Sequence, residues 1–378
     1  MGVKISKSML AKGMMLFVLL SIGAIVSILL FTTDKDTWKD LLNFKLVFIP
    51  VLLILGFIRW IMDGMFFNVM AKHGSKSSVG IWRATSIRLE GNLVASIVPM
   101  LVGTFSMHAY LLHKEKLSIS ESFAITVLRS IIPVFLFLVN IPILLFIKTE
   151  SQSNQLLGGF AKSYHQFLRV FSLPVAISIV FFIITLFFPN QIKNGVSSLM
   201  RWWGRIKFIH LGRIIKIEKR IFHEIDQFSY IFWTYLRKKK MMLFRAAGWI
   251  FLAFFVDYMI AIAILWGFGV HPPFLNAIAI QFLIRPIIYF AFTPGGAGIW
   301  EFTYFGFFSQ YLPNPIIGVS VLIWRLMLTY LPCLIGVGLL FREFHTDQRL
   351  RHWIVEEGVL PEDELSSLEI QDADHSNH

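Results

Sequence analysis

Six stretches of mostly apolar residues, each long enough to span a bilayer, run through this 378-residue chain. A transmembrane helix needs ~20 such residues. Apolar residues form 56% and charged residues 15% of the sequence, against about 45–50% and ~25% in soluble proteins. The sequence therefore predicts an all-α polytopic membrane protein, and it excludes a soluble enzyme, a secreted disulfide scaffold and a disordered hub. The predicted spans are residues 13–31, 45–62, 122–147, 171–188, 246–268 and 315–341.

Two further apolar stretches carry helix-breaking residues in their middle. Pro99 and Gly103 interrupt residues 91–110, and Thr-Pro-Gly-Gly-Ala-Gly at 293–298 interrupts residues 275–310. Proline removes a backbone donor and glycine lowers helix stability, so each stretch is predicted to form two half-helices. We interpret both as re-entrant hairpins, because loop charges then agree with the positive-inside rule. If both stretches crossed fully, the loop charges would conflict with that rule.

The basic residues predict the orientation of the chain in a membrane. Residues 189–245 hold 13 Lys or Arg and 3 acidic residues, and this amphipathic segment is expected to lie on the cytoplasmic leaflet. Both termini are then cytoplasmic. The membrane domain is predicted to cover residues 1–341, followed by a short acidic cytoplasmic tail at 342–378. The net charge of +12 is assigned to topology, and no nucleic-acid partner is predicted.

Four polar or helix-breaking positions recur at a nearly constant spacing. Asp63, Pro99, Gly103 and Arg129 recur as Asp257, Pro294, Gly298 and Arg325, at offsets of 194, 195, 195 and 196 residues. The topology above gives the two sets opposite orientations. We therefore predict an inverted-topology repeat with halves at about 45–147 and 246–341, the architecture of many transporters, whose sites lie where broken helices meet.

Ionisable residues inside spans are costly and are candidates for function. A half-helix that begins near Gly298 is expected to present free N–H groups to a phosphate or carboxylate. For Glu301 two alternatives stand: it caps this helix and pairs with Arg285 or Arg325, or it titrates during transport. Arg59 and Asp63 are expected to pair locally. The predicted headgroup-binding residues are Gln281, Arg285, Tyr289, Pro294, Gly295, Gly296, Gly298, Glu301, Arg325, Pro99, Gly103 and Arg129.

At these residues the chain resembles the lysylphosphatidylglycerol synthase transmembrane-region family, also called the flippase-like domain family. The segment Thr-Pro-Gly-Gly-Ala-Gly-Ile-Trp-Glu at 293–301 is similar to that family's Pro-Gly-Gly-x-Gly-x-x-Glu signature. Residues 92–129 and 324–336 resemble its other two motifs. Thr104 departs from the pattern, since relatives often carry an acid there. The resemblance implies movement of lipids with modified or bulky headgroups between the leaflets of a prokaryotic cytoplasmic membrane. Lysyl transfer is not implied.

Two other classes of function compete with a lipid flippase. An integral-membrane transferase acting on a lipid-linked substrate needs a catalytic constellation, and none of the usual enzyme motifs occurs in the sequence. A non-transporting, lipid-binding partner of such an enzyme needs only the cavity. We predict no enzyme activity, cofactor or metal. The partners that we consider are a membrane lipid with an anionic phosphate, a second copy of the chain and a lipid-modifying enzyme.

Overall fold

The computed structural model describes residues 44–74, 79–97, 101–150, 211–289, 291 and 293–346, with scattered positions in 15–27 and 190–198. Within these residues the chain forms helices and turns and no strand. The helices are α1 Phe48–Gly74, α2 Ile81–Ile97, α3 Leu101–Lys114, α4 Ile119–Glu150, α5 Leu211–Lys238, α6 Lys240–Gly267, α7 Phe274–Tyr289, α8 Ile299–Phe308, α9 Asn314–Arg325 and α10 Leu331–Thr346.

Four of the described segments are long and apolar enough to cross a membrane. They are Phe48–Lys72, Ile119–Leu136, Lys240–Gly267 and Ile316–Arg342, and they confirm four of the six predicted spans. The predicted span at 171–188 lies outside the described residues, as do most of the span at 13–31 and most of the acidic tail at 342–378. The last segment joins α9 and α10 through a π-helical turn, Leu326–Tyr330. Pro332 follows this turn, and its ring and missing N–H disturb the preceding helical bonds.

The exposure of α1 is the reverse of that of a soluble helix. Ile54 is 58% exposed, whereas Asp63 is 1% exposed and Arg59 is 8% exposed. A helix that turns its aliphatic side chains outward and its charges inward fits a lipid environment, because ionisable groups in membranes face the protein interior. The fold therefore collects charge at its centre.

Helices α1 and α6 form an antiparallel pair that organises the bundle. The Lys45 N–H donates to the Gly267 carbonyl over 2.9 Å, which places the start of α1 beside the end of α6. Each of these two helices is followed by a helix that runs back along it. Arg88 of α2 reaches Asp63 of α1, and Arg285 of α7 reaches Asp257 of α6.

Helices α2 and α3 fold back on each other as a hairpin. Arg83 and Glu115, at the open end, form an ion pair of 2.6 Å. Nearer the tip, the His108 ring lies so close to Gly91 that a Cβ atom there would collide with it. Helix α2 ends at Ile97 and α3 begins at Leu101, so Gly103 lies inside α3. The interpretation of Gly103 as part of the break was therefore wrong. Pro99 lies outside the described residues.

Helices α7 and α8 form the second hairpin. Tyr311 and Asn276 are hydrogen-bonded at its open end, and the Trp300 indole donates to the Ile288 carbonyl near its tip over 3.2 Å. Because α1 and α6 are antiparallel, the two hairpins open toward opposite ends of that pair. The tip of the second hairpin, Pro294–Gly296, contacts α2 of the first.

Helix α5 confirms the amphipathic helix expected within the basic segment. It contacts the start of α4, where the Tyr235 hydroxyl donates to Glu121 over 2.9 Å. Burial, together with the neighbouring Glu121 carboxylate, raises the pKa of Tyr235, so its phenol stays a donor. Basic side chains occur in its last turn, and Arg237 stacks on Trp233. Residues 199–210 of the basic segment lie outside the described residues.

Candidate functional site

Six charged side chains from five helices, five of them buried and Arg88 half-buried, meet between the two halves of the bundle. The two acceptors, Asp63 on α1 and Asp257 on α6, are each 1% exposed. Helices α1, α2, α4 and α7 supply four arginines around them. We call this group the aspartate–arginine cluster: Arg59, Asp63, Arg88, Arg129, Asp257 and Arg285.

Asp63 is the acceptor for three of the four arginines. Arg88 Nε lies 2.6 Å from Asp63 Oδ2, Arg129 Nη2 contacts Asp63 Oδ1, and Arg59 Nη1 lies 3.9 Å from Asp63 Oδ2. Charged partners with short contacts make strong hydrogen bonds in a region that excludes water. Asp63 therefore ties α1, α2 and α4 together.

Asp257 holds the other half of the cluster. Arg285 Nη2 contacts Asp257 Oδ2, and Arg59 Nε lies 2.9 Å from Asp257 Oδ1. The expected local pair of Arg59 with Asp63 is present, but its shorter contact is with Asp257. Arg59 therefore bridges the two aspartates and, with them, α1 and α6. Sequence spacing does not reveal this bridge, because its residues are 198 positions apart.

The cluster holds more positive than negative charge. Four guanidiniums and two carboxylates give a formal charge of +2 (4 − 2) if all six groups are ionised. Arg59 Nη1, Arg129 Nε and Arg285 Nε are buried and have no hydrogen-bond partner among the described residues. Burial of charge without compensation is expensive. The arrangement is therefore suited to accepting an anion.

A second, separate charge pair holds the tip of the α7–α8 hairpin. Glu301 Oε1 lies 2.9 Å from Arg325 Nε, and both residues are 0% exposed. Glu301 Oε2 accepts the Gly298 N–H over 2.8 Å. Of the two alternatives for Glu301, the structure therefore shows the capping arrangement with Arg325. This hairpin-tip pair, Glu301 with Arg325, has no net charge.

The glycines of the tip allow its sharp reversal. Gly295, Gly296 and Gly298 have φ values of 57°, 68° and 83°, a region that side chains other than glycine rarely adopt. A Cβ atom at Gly296 would also collide with the Trp300 indole. The Gly295 carbonyl, turned outward by this path, accepts Arg325 Nη1 over 3.1 Å. The conformation of the tip is thus held by contacts with Trp300 and Arg325 of the same half of the chain.

Eight of the twelve residues predicted to bind a headgroup fall into these two groups. Arg129 and Arg285 lie in the aspartate–arginine cluster, whereas the residues 294–298, Glu301 and Arg325 lie at the hairpin tip. Gln281 and Tyr289 share the helix of Arg285. The Gln281 side chain is buried, and its Nε2 has no hydrogen-bond partner in the part of the chain that the structure describes. The Tyr289 hydroxyl donates to the Ser130 carbonyl over 2.7 Å.

Arg59 and Arg88 were absent from the predicted headgroup set. The sequence did contain a signal for Arg59, an ionisable residue inside a span, but its i, i+4 spacing to Asp63 favoured a local pair. Arg88 lies in a short polar helix, where an arginine is unremarkable. Among the described residues, no three His, Cys, Asp or Glu side chains come together as a metal site.

An all-helical bundle with membrane-length helices and buried charge defines an integral membrane protein. The chain belongs to the lysylphosphatidylglycerol synthase TM region family, whose model matches residues 16–336. This match confirms the family resemblance and implies a membrane lipid-related function. Neither the curated proteins nor the solved structures give a match to the chain.

Proposed function

We propose that this protein is a lipid flippase, which moves a lipid with a polar or modified headgroup between the leaflets of a prokaryotic cytoplasmic membrane. The observation that carries the proposal is the aspartate–arginine cluster, which has more cations than carboxylates and lies among lipid-facing helices. A membrane protein retains such costly groups where they serve a pathway or a ligand. A polar headgroup moving past the hydrocarbon core needs such shelter.

The arrangement of the hairpins supports the same proposal. We place both hairpins in the membrane as re-entrant elements, which enter from opposite leaflets in an inverted-topology repeat. Their opening toward opposite ends of the α1–α6 pair supports this placement. So does the equivalent pairing of Asp63 with Arg88 and of Asp257 with Arg285. The headgroup then passes between the halves, and Glu301 with Arg325 supports one hairpin.

Reconstitution into liposomes tests the proposed activity. Purified protein is placed in vesicles that contain phosphatidylglycerol with a fluorescent label on an acyl chain, and the label on the outer leaflet is then quenched chemically. We expect additional label from the inner leaflet to become accessible to the quencher. The Arg129→Gln variant should slow this movement by at least about tenfold, since charged hydrogen bonds are among the stronger ones.

The same vesicles separate the flippase from the other classes of function. Mass spectrometry of the recovered lipids detects covalent turnover, which would indicate a transferase. If folded protein gave neither lipid movement nor turnover, a non-transporting lipid-binding module would be the better description. Either result would contradict the proposal.

The proposed orientation is tested with single cysteines in a Cys333→Ser background. Lys238→Cys precedes α6 and His271→Cys follows it, and both positions are exposed. An impermeant thiol reagent applied to intact cells should label His271→Cys and leave Lys238→Cys unlabelled. The reverse pattern would contradict cytoplasmic termini and the cytoplasmic placement of the basic segment.

A further inference from the structure

We infer that the aspartate–arginine cluster binds a phosphate oxyanion, which is the phosphodiester of the moved lipid. The inference rests on the proposed function and adds to it the position of the site and the charge of the ligand group. It moves the anion site from the hairpin tip, where the sequence alone placed it, to the centre of the bundle.

The charge balance of the cluster favours an anion. After both aspartates are counted, the cluster keeps a formal charge of +2, and the side chains of Arg59, Arg129 and Arg285 are 10%, 9% and 8% exposed. A cation or a neutral sugar would leave that charge uncompensated. An anion removes part of it, and the low-dielectric surroundings strengthen its attraction to the guanidiniums.

The number of donors without hydrogen-bond partners also favours a phosphate. Three helices, α1, α4 and α7, each carry a nitrogen that has no hydrogen-bond partner among the described residues: Arg59 Nη1, Arg129 Nε and Arg285 Nε. A ligand that satisfies donors from three helices at once needs several acceptor oxygens around one centre. A phosphate has this geometry, and guanidinium groups bind it with paired donors.

The hairpin tip has no such surplus of positive charge. Gly298 N–H is occupied by Glu301, and the charge of Arg325 is balanced by the same carboxylate. Within the described part of the chain Arg325 Nη2 also has no hydrogen-bond partner, so free donors alone do not distinguish the two sites. Net charge does, and it favours the cluster.

The test measures the thermal stabilisation that a ligand gives to the full chain in detergent, because a ligand that binds the folded state raises Tm. Three probes are added separately: dihexanoyl phosphatidylglycerol, inorganic phosphate, and a short-chain galactosyl diacylglycerol without phosphate. We expect the first to raise Tm and the third to have no effect. If inorganic phosphate alone raises Tm, the oxyanion site stands but its ligand is a free phosphate, which overturns the lipid assignment.

Variants distinguish a ligand site from a structural cluster. Arg129→Gln and Arg285→Gln each leave their aspartate with another arginine, so folded protein is expected. Each should weaken binding of dihexanoyl phosphatidylglycerol by at least about tenfold. Asp257→Asn raises the positive surplus and should bind the same probe more tightly than the parent chain. A purely structural cluster would lower Tm in all three variants without changing the response to the probe.

Arg245→Gln is the matched control, since Arg245 is an exposed arginine at the start of α6 and lies outside the cluster. Its response to the probe should equal that of the parent chain. If it weakened binding as much as Arg129→Gln, the effect would come from overall charge and the inference would be overturned. If an arginine variant fails to fold, the Asp257→Asn variant tests the inference. Tighter binding of dihexanoyl phosphatidylglycerol would support the inference, and unchanged binding would overturn it.

Failure of this inference is distinguishable from failure of the proposed function. Suppose that the Arg129→Gln and Arg285→Gln variants still move lipid and still bind dihexanoyl phosphatidylglycerol as the parent chain does. The proposed site would then be overturned, and the proposed flippase activity would stand. If binding of the probe depends on these arginines but the protein moves no lipid in vesicles, the site would stand and the proposed flippase activity would be overturned.

Discussion

The two groups of buried charge in this protein differ in balance more than in burial. Glu301 and Arg325 are both 0% exposed and neutralise each other, and Glu301 also caps α8. The aspartate–arginine cluster is nearly as buried, yet it has twice as many arginines as aspartates. In a balanced pair the two charges neutralise each other, and the pair stabilises the conformation of the hairpin tip. An unbalanced cluster retains capacity for a further anion.

The two halves of the chain differ in how their corresponding arginines, Arg129 and Arg325, are paired. In the second half, Glu301 follows the hairpin tip and accepts Arg325. In the first half, the corresponding position early in α3 is Thr104, where family relatives often carry an acid. Arg129 therefore has no acid there and pairs with Asp63. Since Asp63 already accepts Arg88, the first half contributes surplus positive charge to the cluster.

The largest effect is expected from breaking the balanced pair. Arg325→Gln leaves the Glu301 carboxylate buried without its cation, and the loss of one partner of such a pair costs ~3–5 kcal/mol. We expect a much lower Tm in detergent that dihexanoyl phosphatidylglycerol does not restore. The control is Glu301→Gln combined with Arg325→Gln, which removes both charges and should recover part of the stability. An unchanged Tm for Arg325→Gln would show that the pair does not hold the tip.

A smaller loss of stability is expected in the unbalanced cluster. Arg285→Gln removes a charged hydrogen bond, typically worth ~1.5–3 kcal/mol, but Asp257 keeps Arg59 at 2.9 Å. The free energy of unfolding, followed by denaturant titration in detergent, should therefore fall less than for Arg325→Gln. Lipid movement should fall more steeply than stability. A variant that loses stability as severely as Arg325→Gln and moves lipid normally would reverse the two roles.

The smallest effect is expected at the edge of the cluster. Tyr289→Phe removes the donor to the Ser130 carbonyl, which links α7 to α4 over 2.7 Å. A neutral hydrogen bond contributes ~0.5–1.5 kcal/mol, so Tm should fall only slightly and lipid movement should persist. A complete loss of movement in a stable Tyr289→Phe protein would assign this hydroxyl a direct role that charge balance does not predict.

The sequence predicted the membrane helices well because lipid imposes a simple rule on length and polarity. The broken α7–α8 stretch was equally predictable, since three glycines and a proline leave few alternatives. The boundary at Gly103 was missed, because a glycine tolerated within the first turn of a helix resembles one that ends it. Helix ends also depend on caps, which tertiary contacts supply.

The candidate site was predictable in composition but not in grouping. Arg129, Arg285, Glu301 and Arg325 were recognised as costly residues inside the membrane, and a single headgroup site was expected from them. Their division into two groups depends on contacts between distant helices, such as Arg59 with Asp257. A local i, i+4 rule cannot find such a contact, because it considers one helix at a time.

The most direct measurement is a structure of the protein in a nanodisc that contains phosphatidylglycerol. The account predicts phosphate density within hydrogen-bond distance of at least two of Arg59, Arg129 and Arg285, with the Glu301–Arg325 pair intact beside it. Phosphate density at residues 295–298, with Glu301 displaced from the Gly298 N–H and none in the cluster, would contradict it.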